Sequence, residues 1–293
     1  MKHLLSIAAL SADEIREVLE RTVAIKRQRG QPGPEPLAGQ AWALIFTKAS
    51  TRTRVSFEVG IRELGGQPVY LAGQEIQMGR GETVADTARV LSRYCHGAVI
   101  RTFAQQDVEE FARWGSIPVI NALTDDEHPC QILADLFTIT EKLGGVGGRK
   151  VCFIGDGACN VARSWIAAAR KLGIELWVAS PPEFQPPDRA GISVTTDLVA
   201  AARGADVVYT DVWVSMGKEA EAAERMKILQ PYQINSALLA HARPGALVMH
   251  CLPAYRGKEI TDEVLEAHQQ TIFDQAENRL HVQKTILTML ARR

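Results

Sequence analysis

Ala41-Trp-Ala-Leu-Ile-Phe46, the loop Thr47-Lys-Ala-Ser50 and the run Thr51-Arg-Thr-Arg-Val-Ser-Phe-Glu-Val-Gly-Ile-Arg-Glu-Leu-Gly-Gly66 decide the fold. The first segment is a short unbroken apolar run, the pattern of a strand buried on both faces. Apolar spacing over Thr53–Leu64 predicts a helix, and Gly65-Gly66 ends it. A strand, a polar loop and a helix in that order form the repeating unit of a parallel sheet with helices on its faces.

The unit recurs on both sides of this stretch. Ser11 and Glu14 form a capping box, and Ile15, Val18, Leu19, Thr22 and Ile25 follow on one helical face, so the chain opens with a surface helix. Beyond Gly66, strands are expected near Val69–Leu71, Ala98–Arg101 and Ile117–Asn121, alternating with helices near Val84–Tyr94, Val108–Trp114 and His128–Leu143. The glycine-dense Leu143-Gly-Gly-Val-Gly-Gly148 then precedes a strand at Lys150–Gly155 that begins a second series. That series runs through strands near Glu175–Ala179, Val207–Thr210, Ala246–His250 and Thr271–Phe273, and closes on a helix from Gln275 to about Leu290. The expected class is α/β, with two similar domains that are each a parallel sheet flanked by helices.

Composition narrows the functions open to such a chain. Its 293 residues exceed one average domain, and 46% hydrophobic with 23% charged residues is a globular balance. Lys plus Arg (33) nearly cancels Asp plus Glu (34), so no general field attracts nucleic acid or an anionic membrane, and anion binding must be local. No run approaches the ~18 apolar residues of a membrane span. Cys95, Cys130, Cys152, Cys159 and Cys251 form no C-x-x-C pair, which fits a reducing compartment. The apolar opening meets Asp13 and Glu14 where a signal peptide would need small residues, so the expected location is the cytoplasm.

Parallel sheets bind ligands at the carboxyl ends of their strands, and four strand-following loops carry unusual polar groups. Lys48-Ala-Ser-Thr-Arg-Thr-Arg54 sets hydroxyls and cations at a helix start, where unpaired N–H groups and the positive end of the dipole suit a phosphate. It is not the ATP/GTP loop, since no G-x-x-x-x-G-K-[ST] occurs. His128-Pro129 places a histidine before a helix with proline at its first position, and Gln131 follows within the first turn. Asp211 with Ser215-Met216-Gly217 follows one strand of the second series, and His250-Cys251-Leu252-Pro253 follows another. Gly155-Asp-Gly157 hints at a dinucleotide fingerprint, but Asn160 stands where its third glycine belongs.

Ser50-Thr51-Arg52-Thr53-Arg54 resembles the carbamoyl-phosphate signature of the aspartate and ornithine carbamoyltransferase family. Arg101 in Ile-Arg-Thr, His128-Pro129-Cys130-Gln131, Asp211 with Ser215-Met216-Gly217, and His250-Cys251-Leu252-Pro253 follow that family's order, and the resemblance spans essentially the whole chain. It implies transfer of a carbamoyl group from carbamoyl phosphate to the δ-amine of L-ornithine, with no metal or other cofactor and no nucleic-acid or membrane partner. It further implies a carbamoyl-phosphate-binding domain over residues 1–133 and an ornithine-binding domain over 134–293. The final helix, about 275–293, would pack back on the first domain. A homotrimer or a multiple of trimers is also implied, because the family's sites lie partly between subunits.

The resemblance also distributes roles. Ser50, Thr51, Arg52 and Thr53 would hold the phosphate, with Arg101 reaching it from another strand end. His128 and Gln131 would face the carbamoyl group, and a donor at its carbonyl oxygen would stabilise charge developing there. Gln77, in a loop without apolar periodicity, would touch carbamoyl phosphate from a neighbouring subunit. Leu252 and Arg279 would complete that site. Asn160, Asp211, Ser215 and Met216 would hold ornithine, Asp211 through its ammonium. Cys251 would orient the δ-amine without becoming a covalent nucleophile, and it joins Arg101 and His128 as the residues nearest the chemistry. In one departure, Asp156-Gly-Ala-Cys-Asn160 is one residue longer than the family's usual Asp-Gly-Asn-Asn, which leaves a single asparagine. Tyr255 stands where bacterial relatives often have histidine.

Other acceptors remain open on the residues alone. Putrescine lacks a carboxylate and an N-acylated ornithine lacks the α-ammonium, so either would leave part of the Asp211, Asn160 and Ser215 set unused. A non-catalytic dinucleotide- or phosphate-binding module would explain Gly155-Asp-Gly157 but neither Ser50–Arg54 nor His250–Pro253.

Overall fold

The computed structural model describes residues 1–73 and 81–291. It divides into two compact units, residues 1–137 with 278–293 and residues 138–277. The expected boundary at 133/134 fell four residues earlier in the same helix.

In the first unit, α1 (Ala12–Arg27) starts at the expected capping box, with Ser11 accepting from the Glu14 N–H and Glu14 accepting from the Ser11 N–H. There follow β1 (Ala41–Phe46), α2 (Thr51–Glu63), β2 (Gln67–Ala72), α3 (Val84–Tyr94), β3 (Gly97–Arg101), α4 (Gln105–Trp114), β4 (Val119–Leu123) and α5 (Pro129–Leu143). The strands form a parallel sheet in the order β2-β1-β3-β4, and Leu4 adds a parallel bridge to Ile120 at its edge. β1 and β3 are central and almost wholly buried, as their unbroken apolar runs require. β4 begins two residues later than expected because Pro118 has no N–H to donate to the ladder.

The second unit continues with β5 (Lys150–Ile154), α6 (Asn160–Leu172), β6 (Glu175–Ala179), β7 (Ser193–Thr195), α7 (Leu198–Ala202), β8 (Val207–Thr210), α8 (Ala222–Leu229), α9 (Ser236–Leu239), β9 (Leu247–His250), α10 (Asp262–Ala267) and α11 (Gln269–Leu290). Its sheet is parallel, in the order β7-β6-β5-β8-β9. β7 escaped the sequence reading because it is a three-residue edge strand without an apolar run. Thr271–Phe273, expected as a strand, lies instead inside α11. The His268 carbonyl accepts from the Thr271 and Ile272 N–H groups and closes a turn there, and Ile272 packs into this unit's core. A three-residue β-branched and aromatic run cannot distinguish a strand from part of a helix.

From Asn278 onward α11 belongs to the first unit, as the class expectation had it. Thr285 bonds Thr22 of α1 at 2.8 Å, Lys284 pairs with Glu63 of α2 at 2.7 Å, and Lys26 of α1 donates to Asn278 at 2.7 Å. Gly60 lets α2 approach this helix, since a Cβ there would lie 3.3 Å from Lys284 Cγ and 3.4 Å from Leu280 Cδ1. No helix among the described residues is long and apolar enough to cross a membrane.

Candidate active site

In the first unit Ser50 is the N-cap of α2, its hydroxyl accepting from the Thr53 N–H at 3.2 Å. Thr51, Arg52 and Thr53 therefore occupy the first turn, where the leading N–H groups have no carbonyl within the helix. Thr51 and Arg52 are exposed, whereas Thr53 is fully buried. Arg54, two residues on, pairs with Glu58 at 2.8 Å and lies over the Tyr70 ring, 3.6 Å from its centroid. The Arg52 side chain makes no ion pair or hydrogen bond among the described residues. The motif thus separates into a structural arginine and one whose guanidinium remains available at a positive helix end. Lys48, buried in the preceding loop, pairs with Asp125 and lies 4.1 Å from the Phe103 ring centroid. This ties the loop after β1 to the one that delivers His128.

His128 immediately precedes Pro129, the first residue of α5, and its carbonyl accepts from the Gln131 N–H at 3.0 Å. Arg279 binds two first turns at once: one guanidinium nitrogen donates to Gln131 Oε1 at 3.0 Å and the other to Thr53 Oγ1 at 2.8 Å. Gln131 in turn donates to Asp135 at 2.8 Å, one helical turn along. Arg101 ends β3, is nearly buried, and its carbonyl accepts from the Thr47 N–H at 2.9 Å. Burial depresses the His128 pKa well below its ordinary value, and the positive fields of Arg279 and Arg101 depress it further. The ring is therefore neutral at pH 7. The result is a cluster of two arginines, a neutral imidazole, an amide and helix-start N–H groups, suited to an oxyanion beside a polarised carbonyl. Gln77 lies outside the described residues.

The second unit offers the opposite polarity. Asp211 follows β8 and Cys251 follows the adjacent β9, so the thiol donates to Asp211 Oδ1 at 2.9 Å, and the Val212 N–H donates to the same oxygen at 2.7 Å. Burial raises the Asp211 pKa, opposed by the nearby His250 ring, the thiol and that N–H. A carboxylate so placed gains by pairing with a cation. His250 holds the turn beneath. Its N–H donates to Gln275 at 2.9 Å, its Nδ1 accepts from the Leu252 N–H at 2.8 Å, and Nε2 meets Glu259 Oε1 at 3.1 Å. Leu252 is forced to a φ of 56°, a left-handed conformation that a leucine adopts only when its surroundings impose it. Ser215 and Met216 sit in the loop after β8, Ser215 half-buried and Met216 exposed.

Asn160 opens α6, with Cys159 as N-cap, its sulfur accepting from the Ala162 N–H at 3.5 Å. The longer loop thus places a cysteine at the cap and leaves the asparagine in the first turn. Burial pushes the Cys159 thiol well above its ordinary pKa, and the nearby Asp211 and Asp156 add to the rise. At Gly157 a Cβ would come within 2.7 Å of Val178 Cγ1 and 3.0 Å of Pro186 Cδ, so this glycine is required by packing. That accounts for half of the broken dinucleotide fingerprint.

Each unit thus gathers its own share of the expected residues: Ser50, Thr51, Arg52, Thr53, Arg101, His128, Gln131 and Arg279 in the first, Asn160, Asp211, Ser215, Met216, Cys251 and Leu252 in the second. The sequence reading missed the residues that hold these groups. Asp135 was detectable, because its spacing of four from Gln131 on a helix makes them neighbours. Gln275 and Arg225 carry no local signal, since their partners lie 25 and 69 residues away, and Glu259 reaches His250, nine residues back, across an irregular loop that has no periodicity to read.

The aspartate/ornithine carbamoyltransferase carbamoyl-P binding domain matches residues 2–141, and the family's Asp/Orn binding domain matches residues 147–290. An ornithine carbamoyltransferase of Akkermansia muciniphila is 54% identical over 99% of this chain and 98% of its own length. One from Methanoculleus marisnigri is 49% identical over 99% and 96%. Among solved structures, the ornithine carbamoyltransferase of Pyrococcus furiosus superposes with a TM-score of 0.94 at 46% identity, covering 99% of this chain and 97% of that one. With both halves of the chain matched in order and at this identity, the protein belongs to the aspartate/ornithine carbamoyltransferase family.

Proposed function

We propose that the chain transfers the carbamoyl group of carbamoyl phosphate to the δ-amine of L-ornithine, giving L-citrulline and phosphate. The observation that carries the choice of acceptor is the Asp211–Cys251 pair, which offers a half-buried carboxylate to a cationic amino acid. An acceptor with two carboxylates would meet that anion unfavourably. The relatives support the same reading, since proteins 54% and 49% identical over nearly the whole chain bear the name ornithine carbamoyltransferase.

In the proposed reaction Ser50, Thr51, Arg52, Thr53 and Arg101 bind the phosphate, Gln77 adds a contact, and Arg279 orients Gln131 and Thr53. Neutral His128 and Arg101 stabilise the carbonyl oxygen as it gains charge. Asn160, Asp211, Ser215 and Met216 hold the amino-acid end, and Cys251 with the Leu252 backbone orients the δ-amine and the carbamoyl group. The uncharged amine attacks the carbonyl carbon, a tetrahedral intermediate forms, the C–O bond to phosphate breaks, and the nitrogen sheds one proton to the departing phosphate or to water. Alkyl amines titrate near ~10, so binding must favour the small uncharged fraction. Fixing both substrates in register supplies much of the acceleration.

The test is a panel of acceptors with carbamoyl phosphate: ornithine, putrescine, N-acetylornithine and aspartate, followed by ureido-product formation. Ornithine should exceed each of the others by at least about 100-fold in kcat/KM, in keeping with sites built to pair a polar group that the competitor lacks. Equal turnover of putrescine would refute the acceptor assignment. We also propose a cytoplasmic homotrimer or multiple of trimers, for which sedimentation equilibrium should give a mass divisible by three chains.

A further inference from the structure

Arg225 of α8 lies outside every motif above, yet it is nearly buried and its guanidinium is fully engaged. One terminal nitrogen pairs with Asp156 Oδ2, Nε donates to the Trp213 carbonyl at 2.9 Å, and the other terminal nitrogen lies 3.5 Å from Glu221. The group also stacks 4.4 Å from the Phe184 ring centroid. Asp156 follows β5, Phe184 lies in the loop after β6, and Trp213 lies in the loop after β8. These three strands are neighbours in the sheet, in the order β6-β5-β8. A single side chain therefore clamps three consecutive loops at their carboxyl ends.

Two of those loops carry the amino-acid half-site. Asp156 uses its other oxygen to accept from the Ala158 N–H at 2.9 Å, which shapes the turn delivering Cys159 and Asn160. Trp213, whose carbonyl takes the second bond, stands midway along the chain between Asp211 and Ser215. A planar fork can hold a carboxylate and a carbonyl together while presenting a face to an aromatic ring, and an ammonium cannot. We infer that Arg225 is a positioning residue for ornithine: it sets the spacing between Asn160 and the Asp211–Met216 loop, and so the fit of the amino-acid end, without touching substrate. This rests on the acceptor assignment proposed above.

The experiment measures both KM values of the full chain with Arg225→Lys, with Arg225→Met, and with Arg225→Met combined with Asp156→Asn. The double variant removes the buried carboxylate's charge along with its partner, so it keeps the test decisive if the single Met variant fails to fold. Expected is a rise of about tenfold or more in the ornithine KM, smaller in Arg225→Lys, with the carbamoyl phosphate KM within about twofold of wild type. A merely structural role would lower the melting temperature and the active fraction while leaving the ornithine KM in place, and that result would overturn the inference. So would equal movement of both KM values. Absence of citrulline from the unaltered chain would instead overturn the acceptor assignment on which the inference rests.

Discussion

Arg52 and Arg54 stand two positions apart in one helix, and their surroundings assign them different tasks. Arg54 is held by Glu58 and Tyr70, whereas the Arg52 side chain is exposed and makes no ion pair or hydrogen bond among the described residues. Replacing Arg52 by Met should leave stability within about 0.5 kcal/mol, as for surface changes that break no native contact, while kcat/KM for carbamoyl phosphate falls by about 100-fold. Denaturant titration beside initial rates checks both halves. His128 supplies a pH test. Its folded-state pKa is depressed by burial and by Arg279 and Arg101, so the unfolded chain binds a proton that the folded site refuses. Its contribution is intact above the unfolded value near ~6.5 and is lost as pH falls from there toward the depressed folded value. The stability gap between wild type and His128→Asn should therefore narrow on acidification from neutrality, and a constant gap would contradict the assignment. At Asp211 the shift is upward, so the folded state binds the extra proton, and stability from this group declines as pH rises through the raised pKa. Asp211→Asn should raise the melting temperature at neutral pH while abolishing ornithine turnover.

At the scale of elements, the strand–loop–helix units were legible because their signals are local. The buried runs of β1 and β8, the capping box of α1 and the proline at the start of α5 each state their structure within a few residues. What failed was short or supported from afar. β7 is three residues at a sheet edge, and Thr271–Phe273 reads as a strand until the helix around it is seen. The candidate ligand residues were legible through their motifs and the family resemblance, but their supports were not, since Glu259 meets His250 across an irregular loop and Arg225 meets Asp156, 69 residues away, only through the fold. Gly157 shows the same limit from the other side: its sequence context suggests a phosphate loop, and its environment shows a packing constraint. Gly157→Ala would drive a Cβ to 2.7 Å from Val178 and should destabilise the protein by about 1–3 kcal/mol, measured by chemical denaturation.

At the scale of the whole molecule, the chain divides its chemistry by charge. The unit of residues 1–137 and 278–293 gathers arginines, a neutral histidine and helix-start donors, while the unit of residues 138–277 gathers a carboxylate, a thiol and an amide. The near-neutral total, 33 basic against 34 acidic side chains, conceals that partition, and only the order of the motifs along the chain exposed it. Arg279 was assignable to the first unit by resemblance alone, because α11 changes unit between Glu277 and Asn278. The decisive measurement crosses the two sides: KM for each substrate of citrulline formation, in Arg52→Met and in a milder lesion of the other unit, Asp211→Glu. The first variant should raise KM for carbamoyl phosphate with little change for ornithine, and the second should do the reverse. If both variants moved the same KM, the division of labour between the anion-binding and cation-binding units would be wrong.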